Sequence, residues 1–376
     1  MSDWPVTIVG ATLFVAYSNG ANDNFKGVAT LFGGGTSDYR TALAWATIAT
    51  LAGSLAAFFV ATELISLFQG NGLVPAQLAG SEPFVASVIL AAAVTVMLAT
   101  LMGMPISTTH GLTGALLGSA FMTAGFDLGF DALALNFFAP LVISPFLAVA
   151  LASFSSPWFR RGLARVGLDR ENCVCVGAAV RSPIRTPEGV VFVQPTPALR
   201  VIVDRPAACD RAPTGVFSRI NAQRLLDACH FASAGAVSFA RGLNDTPKIV
   251  ALGLAGSSLG LSWSIGSVAL VMALGGLVHS QKIAHTLSKR ITGMDPEHGL
   301  LANLVTSALV ILASGWSMPV STTQVSCGAL FGIGVANGRA RWEVIRNILL
   351  AWIFTLPVAG ISAAVIFVVL SRLAVG

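Results

Sequence analysis

The sequence predicts an all-α polytopic membrane protein, built as two inverted-topology repeats of about five spans each, with broken helices at the midplane. Three observations carry this prediction. Of 376 residues, 55% are hydrophobic and only 10% charged, against about 25% charged in an ordinary soluble domain. Two polar phrases each occur twice, in the same order and inside apolar sequence: Gly20-Ala21-Asn22-Asp23-Asn24-Phe25-Lys26 returns as Gly242-Leu243-Asn244-Asp245-Thr246-Pro247-Lys248, and Met104-Pro105-Ile106-Ser107-Thr108-Thr109 returns as Met318-Pro319-Val320-Ser321-Thr322-Thr323. Half of the basic residues, 11 of 22 Lys and Arg, lie in one stretch between residues 156 and 224.

In chain order, apolar segments fall at about 5–31, 42–68, 84–103, 105–125 and 131–154, then 226–255, 262–281, 299–315, 319–336 and 344–371. Most are long enough to cross a bilayer as a helix. Met1-Ser2-Asp3-Trp4-Pro5 has no basic region and no small-residue cleavage site, so the first span is expected to remain in the mature chain. The domains are therefore residues 1–155, a first transmembrane repeat; 156–224, an Arg-rich insert; and 225–376, a second transmembrane repeat.

Charge sets the topology. A net charge of +5 could suggest nucleic acid, but basic residues clustered between spans mark a cytoplasmic loop instead. With five spans before it, both termini are expected outside the cell membrane. The loop near 33–41 then falls inside and carries Arg40, while 69–83 and 126–130 fall outside with no Lys or Arg. In the second half, Lys282, Lys289 and Arg290, and then Arg339, Arg341 and Arg346, fall inside. Half one starts outside and half two inside, which relates the repeated phrases by a pseudo-twofold axis in the membrane plane.

The insert holds stretches at 189–193 and 199–203 that read as short strands of a small soluble subdomain. It has no phosphate-loop, paired-carboxylate or nucleophile motif, so the chain is not expected to be an enzyme. Cys173, Cys175 and Cys209 match no zinc spacing and are expected to be free thiols; no cofactor and no metal is expected.

An ionisable residue at membrane depth is a functional candidate. Asp23 and Asp245 could each bind a cation, carry a proton or be neutralised by Lys26 and Lys248 three residues later. Gly20 and Gly242 lower helical preference, so each helix is expected to break around its motif. Pro105 and Pro319 suit a first helical turn, and the Ser and Thr hydroxyls after them join exposed N–H groups at the positive end of the helix dipole, an arrangement that binds oxyanions. The plainer reading of such hydroxyls is helix packing; their recurrence in both halves favours the site. His110 and Gln324 follow the two triplets at equivalent places and suit a shared hydrogen-bond role. Gly114 and Gly118, with Gly328 and Gly332 opposite them in the repeat, suit close helix approach.

At these residues the chain resembles the PiT-type inorganic phosphate transporter family, whose Gly-x-Asn-Asp and Pro-x-Ser-Thr-Thr signatures it carries twice. The resemblance covers both hydrophobic halves and leaves the insert out. It implies a secondary active symporter importing inorganic phosphate with H⁺ or Na⁺, with outward termini and a cytoplasmic central loop. It also implies cation coupling at Asn22, Asp23, Asn244 and Asp245, and oxyanion contact at Ser107, Thr108, Thr109, Ser321, Thr322 and Thr323. The sequence departs from sodium-coupled members at Thr50 and Asn303, where they tend to carry Glu, and at Lys26 and Lys248, where the family has Asn. Fewer carboxylates and two added ammonium groups put Lys26 and Lys248 with the substrate-binding set and lean toward proton coupling. The rival expectations are a sulfate permease of the same fold, an anion channel and a nutrient sensor acting through the insert. The expected partners are phosphate or a related oxyanion and the lipid bilayer; no nucleic acid is expected, and a homodimer is left open.

Overall fold

The structure, a computed structural model, describes residues 4–59, 62–70, 75, 79–125, 128–166, 172–180, 184–185, 191–192, 195–204, 216–255, 260–289 and 295–375. The chain packs as two units, one of Met1–Phe154 with Phe231–Gly376 and one of Ser155–His230.

The first unit opens with α1 (Trp4–Asp23), a short 3-10 turn (Lys26–Val28) and α2 (Ala29–Gly33). Helix α3 (Tyr39–Ala56) is capped by Asp38, whose carboxylate accepts from the Arg40 and Thr41 N–H groups at 2.9 and 3.0 Å and from the Thr41 hydroxyl at 2.7 Å. The Thr41 hydroxyl bond, with the backbone bonds behind it, holds the Asp38 carboxyl below its ordinary pKa. Next come α4 (Thr62–Phe68), α5 (Glu82–Leu101), α6 (Thr108–Ala124), α7 (Phe130–Leu133) and, after a π-helical turn at Ala134–Phe138, α8 (Ala139–Val166).

In the insert, β1 (Cys173–Val180), β4 (Pro195–Asp204) and β5 (Val216–Asn221) form an antiparallel sheet in the order β4-β1-β5. Cys173 faces Asp204 on one side and Asn221 on the other. A two-residue pair joins β2 (Ile184–Arg185) to β3 (Val191–Phe192). The predicted 199–203 strand falls within β4; the 189–193 strand shrinks to β3, with its other residues outside the described ones. Cys175 is disulfide-bonded, which corrects the expectation of free thiols there, whereas Cys173 is free. Cys209 lies outside the described residues.

The second half runs through α9 (Ala222–Ala255), α10 (Leu261–His279), α11 (Gln281–Lys289), α12 (Pro296–Gly315), α13 (Thr322–Ala336) and α14 (Trp342–Val375). Each of the ten predicted segments thus holds a helix. Among the described residues, however, six stretches are long and apolar enough to cross a bilayer: Tyr39–Phe59, Glu82–Leu101, Ala134–Val166, Leu261–His279, Pro296–Gly315 and Trp342–Leu373. Helices α6 and α13 fall short. With 17 and 15 residues they span only about 25 and 22 Å, against roughly 30 Å of hydrocarbon. Each is preceded by extended chain where a first turn was expected, so Pro105 and Pro319 sit two residues ahead of the cap residues Ser107 and Ser321 instead of opening the helix.

Small residues set the packing distances. A Cβ on Gly114 or Gly118 would overlap the α14 backbone at Leu356 or Gly360, and one on Gly328 or Gly332 would overlap α8 at Pro145 or Val149. Gly20 and Gly242 prove to be packing residues too. They lie inside α1 and α9, pressed on the backbone of Met272 and Thr50, and do not break their helices. Outward, large apolar side chains such as Phe146, Trp263, Ile353 and Leu373 are exposed. That surface is stable against hydrocarbon, not water.

Candidate functional site

Inside this apolar frame lies a buried polar cluster made by the repeated phrases. The first Asn-Asp phrase ends α1, and the chain then turns through Asn24 and Phe25 into the 3-10 turn that carries Lys26. The second phrase does not break its helix. Helix α9 runs continuously through Asn244, Asp245 and Lys248 despite Pro247, which corrects the expectation of a break in both halves. Proline in a helix interior forfeits one hydrogen bond and strains the previous turn; packing on both sides of α9 at Gly242 and Gly253 holds the helix together.

The lysines reach to the start of the short helices. Lys26 Nζ pairs with Asp23 and donates to the Ile106 carbonyl at 2.7 Å and to Thr323 Oγ1 at 2.5 Å. Lys248 Nζ lies 3.6 Å from Asp245 and donates to the Val320 carbonyl at 2.8 Å and to Thr109 Oγ1 at 2.9 Å. Ile106 and Val320 are equivalent positions of the repeated phrase, as are Thr109 and Thr323. Each lysine therefore binds a carbonyl of its own half and a threonine of the other. All three N–H bonds of the Lys26 ammonium are engaged by protein atoms.

The two asparagines hold the extended lead-ins. Asn22 donates to the Met104 carbonyl at 3.1 Å and to Thr100 Oγ1 at 2.9 Å, and accepts from the Ile106 N–H at 3.2 Å. Asn244 donates to the Val320 carbonyl at 3.1 Å and to Asp245 at 3.0 Å. The backbone groups freed where α6 and α13 have not yet begun are thus satisfied by side chains, as buried backbone requires.

The six hydroxyls divide into three roles. Ser107 and Ser321 cap their helices, accepting from the His110 and Gln324 N–H groups at 3.1 Å each. Thr109 and Thr323 receive the lysines and donate on to the Val320 and Ile106 carbonyls at 3.4 and 3.0 Å. The middle pair is unequal: Thr108 donates to Asp23 Oδ2 at 3.3 Å, whereas Thr322 Oγ1 is buried with no partner among the described residues. Intrahelical bonding begins with the Gly111 and Val325 N–H groups, so the N–H groups of Thr108, Thr109, Thr322 and Thr323 lie ahead of it, at the positive helix ends. His110 and Gln324 meet each other at 3.1 Å.

The sequence reading passed over Arg241, which is 1% exposed. Its guanidinium donates to Asn19 Oδ1 at 3.0 Å and Asn24 Oδ1 at 3.3 Å and pairs with Asp245 at 3.7 Å. Asn19 in turn donates to both carboxylates, Asp23 at 3.2 Å and Asp245 at 3.3 Å. The signal was present: Arg241 is an ionisable residue within the apolar segment 226–255, three residues before Asn244, where Asn19 stands before Asn22. Thr50 and Asn303 are buried nearby, Thr50 bonded to Asn24 and Ser238 at 3.2 Å each, and Asn303 to Thr30 and Ser233 at 3.0 and 3.2 Å. The cluster thus gathers three basic side chains, Lys26, Lys248 and Arg241, around two carboxylates. Among the described residues no group of His, Cys, Asp and Glu could hold a metal ion.

Fold and cluster together define a multi-pass membrane protein with a charged centre at the facing ends of two short helices. The chain belongs to the phosphate transporter family, whose pattern it matches over residues 19–363. It is 27% identical to a Haemophilus influenzae protein that carries the name phosphate permease, across 98% of this chain and 96% of that one. It is 25% identical to a Mycobacterium bovis protein named for low-affinity inorganic phosphate transport, across 95% of this chain and 75% of that one. Among solved structures, one titled "The sodium-dependent phosphate transporter" shares the fold with a TM-score of 0.76 and 18% identity, covering 99% of this chain and all of that one.

Proposed function

We propose that this protein is a secondary active symporter that imports inorganic phosphate, driven by the proton gradient rather than by sodium. The observation that carries the reading is the charge balance of the buried cluster, three cations against two carboxylates. An uncompensated buried charge costs several kcal/mol, and a bound oxyanion removes that cost. Bare Na⁺ would add to it. The names of the relatives support phosphate as the anion.

In this reading the anion sits between the positive ends of α6 and α13, held by the N–H groups of Thr108, Thr109, Thr322 and Thr323 and by the Thr322 hydroxyl. Lys26 and Lys248 act mainly through their field, since their N–H groups are engaged by Ile106, Val320 and the threonines. Ser107 and Ser321 hold the helix ends in place. Asn22, Asp23, Asn244 and Asp245 form the coupling part: their bonds tie each phrase to its helix start, so a proton taken up there or carried on the phosphate loosens those ties.

The exchange of lysine contacts between halves supports an inverted repeat about an axis in the membrane plane. Both termini then lie outside and residues 156–224 in the cytoplasm. The test is uptake of labelled phosphate and sulfate into proteoliposomes with Na⁺ and pH varied independently. Phosphate uptake should rise with an inward pH gradient and survive replacement of Na⁺ by choline. Strict Na⁺ dependence at constant pH would overturn the coupling, preferred sulfate uptake would overturn the substrate, and absence of trans-stimulation by internal phosphate would point to a channel.

A further inference from the structure

Aligned on Gly20 and Gly242, the repeated phrases pair Asn22 with Asn244, Asp23 with Asp245 and Lys26 with Lys248, but set Asn19 against Arg241 and Asn24 against Thr246. The two mismatched asparagines are the ones that meet the arginine. Arg241 Nη2 donates to Asn19 Oδ1 at 3.0 Å and Nη1 to Asn24 Oδ1 at 3.3 Å, while Nε lies 3.7 Å from Asp245 Oδ2. One positive group is thus surrounded by three oxygens of buried residues drawn from both halves.

These contacts hold a charge in place and do not form a carboxylate-binding fork. Such a fork gives a carboxylate two parallel N–H bonds, whereas Arg241 approaches Asp245 through Nε at 3.7 Å, too long for a hydrogen bond, and Nε has no hydrogen-bond partner among the described residues. What the side chain supplies is its positive charge, which a guanidinium keeps at any working pH. The Asn19 amide nitrogen lies 3.2 Å from Asp23 and 3.3 Å from Asp245, so carboxylates of opposite halves meet at one nitrogen and repel unless a cation stands beside them. Carboxylate and amide oxygens converging on one point are also the ligands that hard metal cations take.

We infer that Arg241 is a tethered substitute for a metal cation: it fills, from within the chain, the place between Asn19, Asn24 and Asp245 that a monovalent ion would otherwise occupy, and so frees uptake from Na⁺. The inference rests on the proton-driven reading above. While the guanidinium is in place, a second cation there would be buried against a like charge, which is strongly unfavourable. Exchanging the guanidinium for Na⁺ leaves the charge of the cluster unchanged. Removing Arg241 should therefore open a Na⁺ site and make a Na⁺-independent carrier Na⁺-dependent.

The experiment compares the full-length wild type with Arg241→Ala, which empties the place, and Arg241→Asn, which makes the halves alike and leaves an amide oxygen there. Phosphate uptake into proteoliposomes and thermal unfolding are each measured in Na⁺, K⁺ and choline. Both variants should be nearly inactive in choline and regain uptake by at least about 10-fold in Na⁺, and Na⁺ should raise their unfolding temperatures by about 2–4 °C without moving that of the wild type. Arg241→Lys keeps a tethered charge and should not respond to Na⁺. A Na⁺-independent wild type beside variants that stay inactive or unfolded in Na⁺, or that transport equally well in choline, would overturn this inference alone. A wild type that itself requires Na⁺ would overturn the proton-driven reading with it.

Discussion

The unequal middle threonines allow a sharp test of the anion site. In Thr322→Val the side-chain volume is kept and the hydroxyl is lost. Thr322 is 3% exposed and its hydroxyl has no partner among the described residues, so the resting protein loses no bond. Its thermal stability should hold or rise, because an unsatisfied buried hydroxyl costs about 1–3 kcal/mol. On the proposed function the same hydroxyl donates to phosphate, and its removal should weaken binding by about 1–3 kcal/mol, or about 5- to 150-fold. Thr108→Val behaves differently. It removes the 3.3 Å donation to Asp23 and leaves the Thr108 N–H in place, so it should lower stability by about 1–2 kcal/mol and affect binding less than Thr322→Val does. The assay is calorimetric phosphate titration of the purified protein beside thermal unfolding of both variants. A Thr322→Val protein that is destabilised but binds phosphate normally would refute the reasoning and return this threonine to a packing role.

Asp23→Asn should leave the Lys26 ammonium buried without its carboxylate and Asp245→Asn should strip both Arg241 and Lys248; each should cost about 3–5 kcal/mol of stability and abolish gradient-driven uptake, measured in proteoliposomes after confirming folding. Arg241→Gln keeps hydrogen-bonding reach toward Asn19 but removes the excess cation, so phosphate affinity should fall at least about 10-fold, and Arg241→Lys should restore only part because the planar fork is lost; titration of the two variants decides. Gly118→Val places a Cβ against the Gly360 backbone and forces α6 from α14, which should lower stability by about 1–3 kcal/mol in thermal unfolding, with a matching loss expected for Gly332→Val at α8.

Much of this protein was legible in its residues because a bilayer leaves a chain few choices. A backbone without water must pair its polar groups within the chain, as a helix does, so each of the ten apolar segments holds at least one helix, and polar phrases repeated within them located the buried cluster. The glycine pairs at 114, 118, 328 and 332 announced close helix contacts by spacing alone. What the residues did not disclose depends on partners far apart in the chain. Whether a helix breaks at Asn-Asp is decided by what packs around it: α1 ends at Asp23, while α9 runs on through the same motif. That Lys26 meets Thr323 and Lys248 meets Thr109, that Thr322 alone of its triplet is unpartnered among the described residues, and that Arg241 tips the charge balance are facts of three-dimensional neighbourhood. Composition and repeat fix the kinds of group present at membrane depth; only tertiary packing, which brings residues more than 200 positions apart within 3.4 Å, decides which donors are engaged and which remain for a ligand.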